Sequence, residues 1–282
     1  MIKVLIALLF ITGSYVYSAR AYSADIEVVV EADVGLNQQQ LVDSSRERII
    51  PINITKPLHH SQQSASQCSA LKPCPVVFIS AGYGVPHLKY TFIRQLFNQQ
   101  GYLVVEIAHE LASDPMLATQ GNFFVTRQEN WQRGAQTLTF VRDTLKKRLP
   151  EFDFDHLTLV GHSNGGDISA WLANQPNDYI SRLITLDHRR MPLPTTTAIN
   201  ILSIRASDFA ADEGVLPTKT NSQSQAICVV TLIDAKHNDM TDDGPPWLTH
   251  KIRELIEQFI GAQVVTQQEL QTCRHKKAQR IG

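Results

Sequence analysis

The segment that most restricts this chain is Leu157-Thr158-Leu159-Val160 running into Gly161-His162-Ser163-Asn164-Gly165-Gly166, with a helical pattern after it. Apolar strand, G-x-S-x-G and helix together describe a sharp strand-to-helix turn that lifts the central serine clear of a sheet. Gly161 and Gly165 are needed there because a Cβ at either position would collide with neighbouring backbone. The start of the following helix adds a field that favours negative charge near Ser163. A bare G-x-S-x-G is a weak signal, since plain Gly/Ser turns share it; the flanking elements give it meaning.

Those elements extend along the chain. Short apolar, β-branched runs at Ile26–Val30, Arg48–Ile54, Val76–Ser80, Leu103–Ile107, Leu157–Val160, Leu183–Leu186, Ile201–Ile204 and Ile227–Ile233 predict strands. Many are apolar on both faces, as buried parallel strands are. Helical patterns lie between several of them, at Tyr90–Gln99, Trp131–Leu149, Ile168–Ala173 and Trp247–Ile260. The first two strands have no helix between them and are expected as an antiparallel edge. The later alternation predicts an α/β fold, a mostly parallel eight-stranded sheet with helices on both faces.

A serine hydroxyl is a weak nucleophile without a base. Asp234-Ala235-Lys236-His237 follows the last strand, which makes His237 the candidate base. The acid that orients it has two candidates. Asp208 lies just beyond the seventh strand and is favoured; Asp187 ends the sixth strand and is the alternative, with Asp212 a weaker third. An oxyanion hole is expected from the backbone N–H groups of Asn164, after the nucleophile, and Tyr83, in the glycine-rich loop Ser80-Ala81-Gly82-Tyr83-Gly84-Val85. That loop lacks the G-K-[ST] and G-x-G-x-x-G patterns of phosphate cradles.

The elbow, the Ala81-Gly82-Tyr83-Gly84 loop with Gly101-Tyr102-Leu103-Val104-Val105 downstream, and the late His237 resemble the α/β-hydrolase superfamily over roughly residues 45 to 262. Within that span, Glu106–Glu110, Gly161–Gly166, Leu186-Asp187 with Met191-Pro192-Leu193, and Lys236-His237-Asn238 are similar to platelet-activating-factor acetylhydrolases and their bacterial relatives. Chlorophyllases and bacterial polyester hydrolases are more distant cousins. The resemblance implies an α/β-hydrolase fold and hydrolysis of a small-molecule ester through Ser163, His237 and an aspartate. The first group places its acid after the sixth strand and the polyester hydrolases after the seventh, so both Asp187 and Asp208 stay open. Asp187 to Asn200 leaves no room for a helical lid, which predicts an open site for short or medium acyl esters. Neither a metal nor an organic cofactor is expected. The acidic group Asp239, Asp242 and Asp243 beside His237 is expected as a solvated loop.

Composition narrows the rest. With 26 Lys+Arg against 27 Asp+Glu in 282 residues, the net charge of −1 offers no basic stripe for nucleic acid. Met1-Ile2-Lys3, the apolar run Val4–Ile11 and Ala19-Arg20-Ala21 have the form of a secretory signal cleaved after Ala21. The run is too short to span a bilayer, which takes about 20 residues. Residues 22–282 are then one domain, with residues 270–282 a frayed basic tail, in a secreted or periplasmic protein. In such a compartment the four cysteines are expected as the disulfides Cys68–Cys74 and Cys228–Cys273.

Overall fold

The computed structural model of the protein describes residues 38–57, 68–217 and 227–261. The signal segment, the expected strand Ile26–Val30, Cys273 and the tail lie outside the described residues. Among the described residues eight strands form one sheet: β1 (Gln38–Asp43), β2 (Arg48–Thr55), β3 (Cys74–Ser80), β4 (Leu103–Ile107), β5 (Phe152–His162), β6 (Ile180–Leu186), β7 (Asn200–Arg205) and β8 (Ile227–Thr231). Their spatial order is β1-β2-β4-β3-β5-β6-β7-β8. β2 is antiparallel to both β1 and β4, and every other pairing is parallel.

The edge hairpin differs from the expected one, because β1 is the polar segment Gln38–Asp43 rather than an apolar run. Its tight turn is held by the Asp43 carboxylate, which accepts from Ser45 N–H and Ser45 Oγ and pairs with Arg46 at 2.5 Å.

Among the described residues five α-helices flank the sheet: α1 (Thr91–Gln99), the short α2 (Phe123–Thr126), α3 (Gln128–Arg148), α4 (Asn164–Ala173) and α5 (Pro246–Gly261). Alternation along each parallel strand feeds two cores. In β3, Val76 and Phe78 join Trp131, Leu138 and Val141 of α3 and Ile168 of α4. Val77 and Ile79 point the other way, to Ile93, Leu96 and Phe97 of α1 and Ile252 and Ile256 of α5. Each large side chain so buried stabilises the fold by about 1.5–3 kcal/mol. With cores on both faces, the C-terminal strand ends are where loops can gather a site. Residues between β6 and β7 carry no helix.

Cys68 and Cys74 form a disulfide, joining the start of β3 to the segment before it. The second expected pair includes Cys273, outside the described residues.

Gly134 is where α3 meets α4: a Cβ there would stand 2.6–2.8 Å from three side-chain atoms of Ile168. Gly134→Val is therefore expected to cost about 1–3 kcal/mol by overpacking, read as a lower urea midpoint with an unchanged slope.

Candidate active site

Ser163 stands at the junction of β5 and α4 with φ 51° and ψ −120°, a conformation that non-glycine residues seldom adopt. The surroundings impose it. A Cβ on Gly161 would lie 2.3 Å from the Gly165 carbonyl oxygen, and one on Gly165 would lie 2.3 Å from that of Ser80. Ser163 N–H donates to the Leu186 carbonyl at 2.9 Å, tying the elbow to the end of β6.

The serine meets the imidazole expected from the sequence. Ser163 Oγ is 2.9 Å from His237 Nε2, and His237 Nδ1 is 2.6 Å from Asp187 Oδ2. A carboxylate only accepts, so Nδ1 carries the proton and Nε2 is left to accept from the serine. Of the two candidate acids, the alternative, Asp187, is the one that meets the ring. Asp208 does not reach the ring; its exposed carboxylate accepts the His237 backbone N–H at 3.1 Å through either oxygen. Asp212 pairs with Arg190 instead. The reason lies in strand register. His162 pairs with Leu186 across β5 and β6, which sets Ser163 level with Asp187, while Asp208 is carried beyond β7 into a surface loop.

Asp187 is fully buried and φ 46° turns it inward. Burial alone would raise its carboxyl pKa. The hydrogen bond to His237 and the guanidinium groups of Arg205 and Arg189 outweigh burial and hold it below the ordinary carboxylate range. Arg189 donates to Oδ2 through Nε at 3.1 Å and Nη2 at 2.9 Å. Arg205 Nη2 is 2.8 Å from Oδ1, an ion pair without hydrogen-bond alignment. Oδ1 also accepts from Ala206 N–H at 3.1 Å.

The expected oxyanion donors are near the serine: Asn164 follows it in the chain, and a Cβ on Gly82, which precedes Tyr83, would stand 3.4 Å from Ser163 Cβ. Asn164 begins α4, and neither its N–H nor that of Tyr83 takes part in a loop or turn hydrogen bond with a described residue. The Asn164 side chain is fixed by groups the sequence did not single out. Trp131 Nε1 donates to its Oδ1 at 3.1 Å, and its Nδ2 donates to Asn130 Oδ1 at 2.8 Å and to Glu110 Oε1 at 3.2 Å. Burial pushes the Glu110 carboxyl pKa up, against the Asn130 hydrogen bond. The Tyr83 phenol oxygen accepts Leu117 N–H at 3.1 Å, anchoring that loop. Between this loop and the end of β4 lies a cavity of about 210 Å³, with Gly82, His87, His109 and Glu110 in its wall.

The acidic group after His237 serves structure. Asp242 accepts the first N–H groups of α1, from Thr91 at 3.0 Å and Phe92 at 3.3 Å, and Asp243 pairs with Lys89. Among the described residues no group of three His, Cys, Asp or Glu side chains is placed to hold a metal ion.

No family model matches the sequence, and no curated protein matches it. Solved structures match in fold. A ferulic acid esterase from Streptomyces cinnamoneus superposes with a TM-score of 0.55 at 16% identity, covering 77% of this chain and 83% of its own. A carboxylesterase from Bacillus cereus gives 0.53 at 12% identity over 74% and 94%. A dienelactone hydrolase from Anabaena variabilis gives 0.51 at 14% over 80% and 98%. The chain has the α/β-hydrolase fold.

Asp167, in the first turn of α4, holds the segment after Asp187 by accepting the N–H groups of Arg189, Arg190 and Met191. Burial raises its pKa to about 6 despite those donors. A carboxyl raised in the folded state binds more protons than in the unfolded chain, so it lowers stability as pH climbs from about 4 through 6. Asp167→Asn removes that term. Urea unfolding at pH 4.5 and 7 should show the variant gaining on wild type by about 1–3 kcal/mol across the interval; equal gaps at both pH values would refute the raised carboxyl.

Proposed function

We propose that this protein is a serine hydrolase that cleaves carboxylic esters through an acyl-enzyme on Ser163. The observation that carries the reading is the unbroken hydrogen-bonded line Ser163–His237–Asp187, at 2.9 and 2.6 Å, on a strained elbow. In it, His237 Nε2 takes the serine proton as Oγ attacks the ester carbonyl. Asp187 keeps the imidazole in the productive tautomer and stabilises the imidazolium. The N–H groups of Tyr83 and Asn164 receive the developing oxyanion. His237 returns the proton to the leaving alcohol, then activates the water that releases the acid. Every step uses side chains, backbone and water, with no call on a metal or organic cofactor.

The fold neighbours are named as esterases and a lactone hydrolase, which supports ester over amide chemistry. The Cys68–Cys74 disulfide supports an exported enzyme, as the amino-terminal sequence suggests. No described helix is long and apolar enough to cross a membrane.

A fluorophosphonate probe should label wild type and leave Ser163→Ala unlabelled; a wild type that stays unlabelled while folded ends the reading. On p-nitrophenyl acetate, Asp187→Asn should cost about 100- to 10,000-fold in kcat by favouring the wrong tautomer. Asp208→Asn, which loses the 4.0 Å ion pair with Arg189 but keeps an oxygen to accept the His237 N–H, should cost less than about tenfold. Preference for an amide over the matched ester would instead make the enzyme an amidase.

A further inference from the structure

The elbow carries a second histidine, His162, that the reaction above leaves unused. It is buried, and both ring nitrogens are engaged. His162 Nε2 is 3.0 Å from the carbonyl oxygen of His237, and a carbonyl only accepts, so Nε2 carries the proton. Nδ1 is then an acceptor, 2.8 Å from the phenol oxygen of Tyr90. That phenol in turn accepts Gly82 N–H at 3.0 Å. The donors all run one way: Gly82 N–H to Tyr90, Tyr90 O–H to His162, His162 N–H to the His237 carbonyl.

We propose that Tyr90 and His162 are positioning residues, a relay through the elbow that holds the oxyanion loop and the loop of the catalytic base at a fixed separation. The proposal rests on the serine-hydrolase reading above. Its two ends adjoin reacting groups: Gly82 precedes the Tyr83 N–H donor, and the far carbonyl belongs to His237 itself. The fit is close, since a Cβ on Gly82 would stand 3.0 Å from His162 Nδ1 and 3.4 Å from Ser163 Cβ. Tyr90 is 1% exposed, a place where phenylalanine would pack as well and only the hydroxyl needs a partner.

The relay also keeps a charge away from the site. The rings of His162 and His237 are 5.0 Å apart between centroids, so a cationic His162 would oppose formation of the His237 imidazolium. Burial, with the neighbouring His237, pushes the His162 pKa down to about 3, leaving it a neutral dipole throughout turnover.

The test uses the whole chain, with kcat expressed per site titrated by a fluorophosphonate, so that misfolded protein drops out. Tyr90→Phe should keep its melting temperature within a few degrees and its KM within about threefold, yet lose about 10- to 100-fold in kcat, the cost of a small misplacement of reacting groups. His162→Gln, whose amide nitrogen can still donate to the His237 carbonyl, should recover at least about tenfold over His162→Ala. A folded Tyr90→Phe with kcat within twofold of wild type overturns the proposal. Should the variants not fold, ¹⁵N-edited NMR of wild type decides: a neutral Nε2–H tautomer for His162 from pH 5 to 9 supports the relay, and titration near pH 6.5 or the Nδ1–H tautomer refutes it. A wild type inert to every ester would sink the hydrolase reading, while the NMR result would still stand for or against the relay.

Discussion

Backbone meets backbone at the elbow, and everything else in the site is arranged around that contact. The position of a Gly165 Cβ is 2.3 Å from the Ser80 carbonyl oxygen and 2.4 Å from that of Ala81, and a Gly166 Cβ would be 2.7 Å from His188 Cβ. The ends of β3 and β5 therefore close on one another backbone to backbone, and the segment after β6 brings His188 Cβ against Gly166. The close approach forces Ser163 to φ 51° and brings the Gly82 loop against it from one side and Asp187 from the other. A larger residue at Gly165 would separate Ser163 from the Gly82 loop, so site geometry and chain packing are one constraint here.

Two buried carboxylates within this region show what sets their charge. Asp187 and Asp167 are both almost wholly enclosed, yet their pKa values move in opposite directions. Burial works against ionisation in each. Asp187 has the Arg189 and Arg205 guanidinium groups and the His237 ring around it, and full opposite charges overcome desolvation. Asp167 has chiefly three backbone dipoles, which do not. An ion cluster like that around Asp187 is weak evidence of stability, since apolar replacements of buried ion pairs are often neutral or better. What the cluster does supply is a fixed anion beneath the His237 ring, as the proposed reaction requires.

Much of the fold was legible because the central strands are apolar on both faces and alternate with amphipathic helices. β1 was not, since Gln38-Gln39-Gln40 is a strand only through its pairing with Asn53, Ile52 and Pro51. The short α2 lacks the length for a periodic signal. At the site, the proximity of Ser163 and His237 followed from their places after β5 and β8. The acid was ambiguous because aspartates follow both β6 and β7, and only register and reach distinguish them. Tyr90–His162 and Asn130–Asn164 were invisible for a plainer reason: each pair is far apart in sequence, and no periodicity records which element ends will touch.

His237 shows how such unforeseen contacts combine. Its N–H goes to Asp208, its carbonyl receives His162 Nε2–H, and its Nδ1–H goes to Asp187. One polar atom is left, the Nε2 lone pair, and it faces Ser163 Oγ. A histidine in a loop would ordinarily sample several rotamers and either tautomer. Here backbone and ring are each held from a different strand end, so the entropy of aligning the imidazole is lost on folding; in the proposed reaction it is then not lost during turnover. Asp208 thus has a part in the site without being the acid of the line: it fixes where the imidazole starts, and Asp187 fixes which way it points.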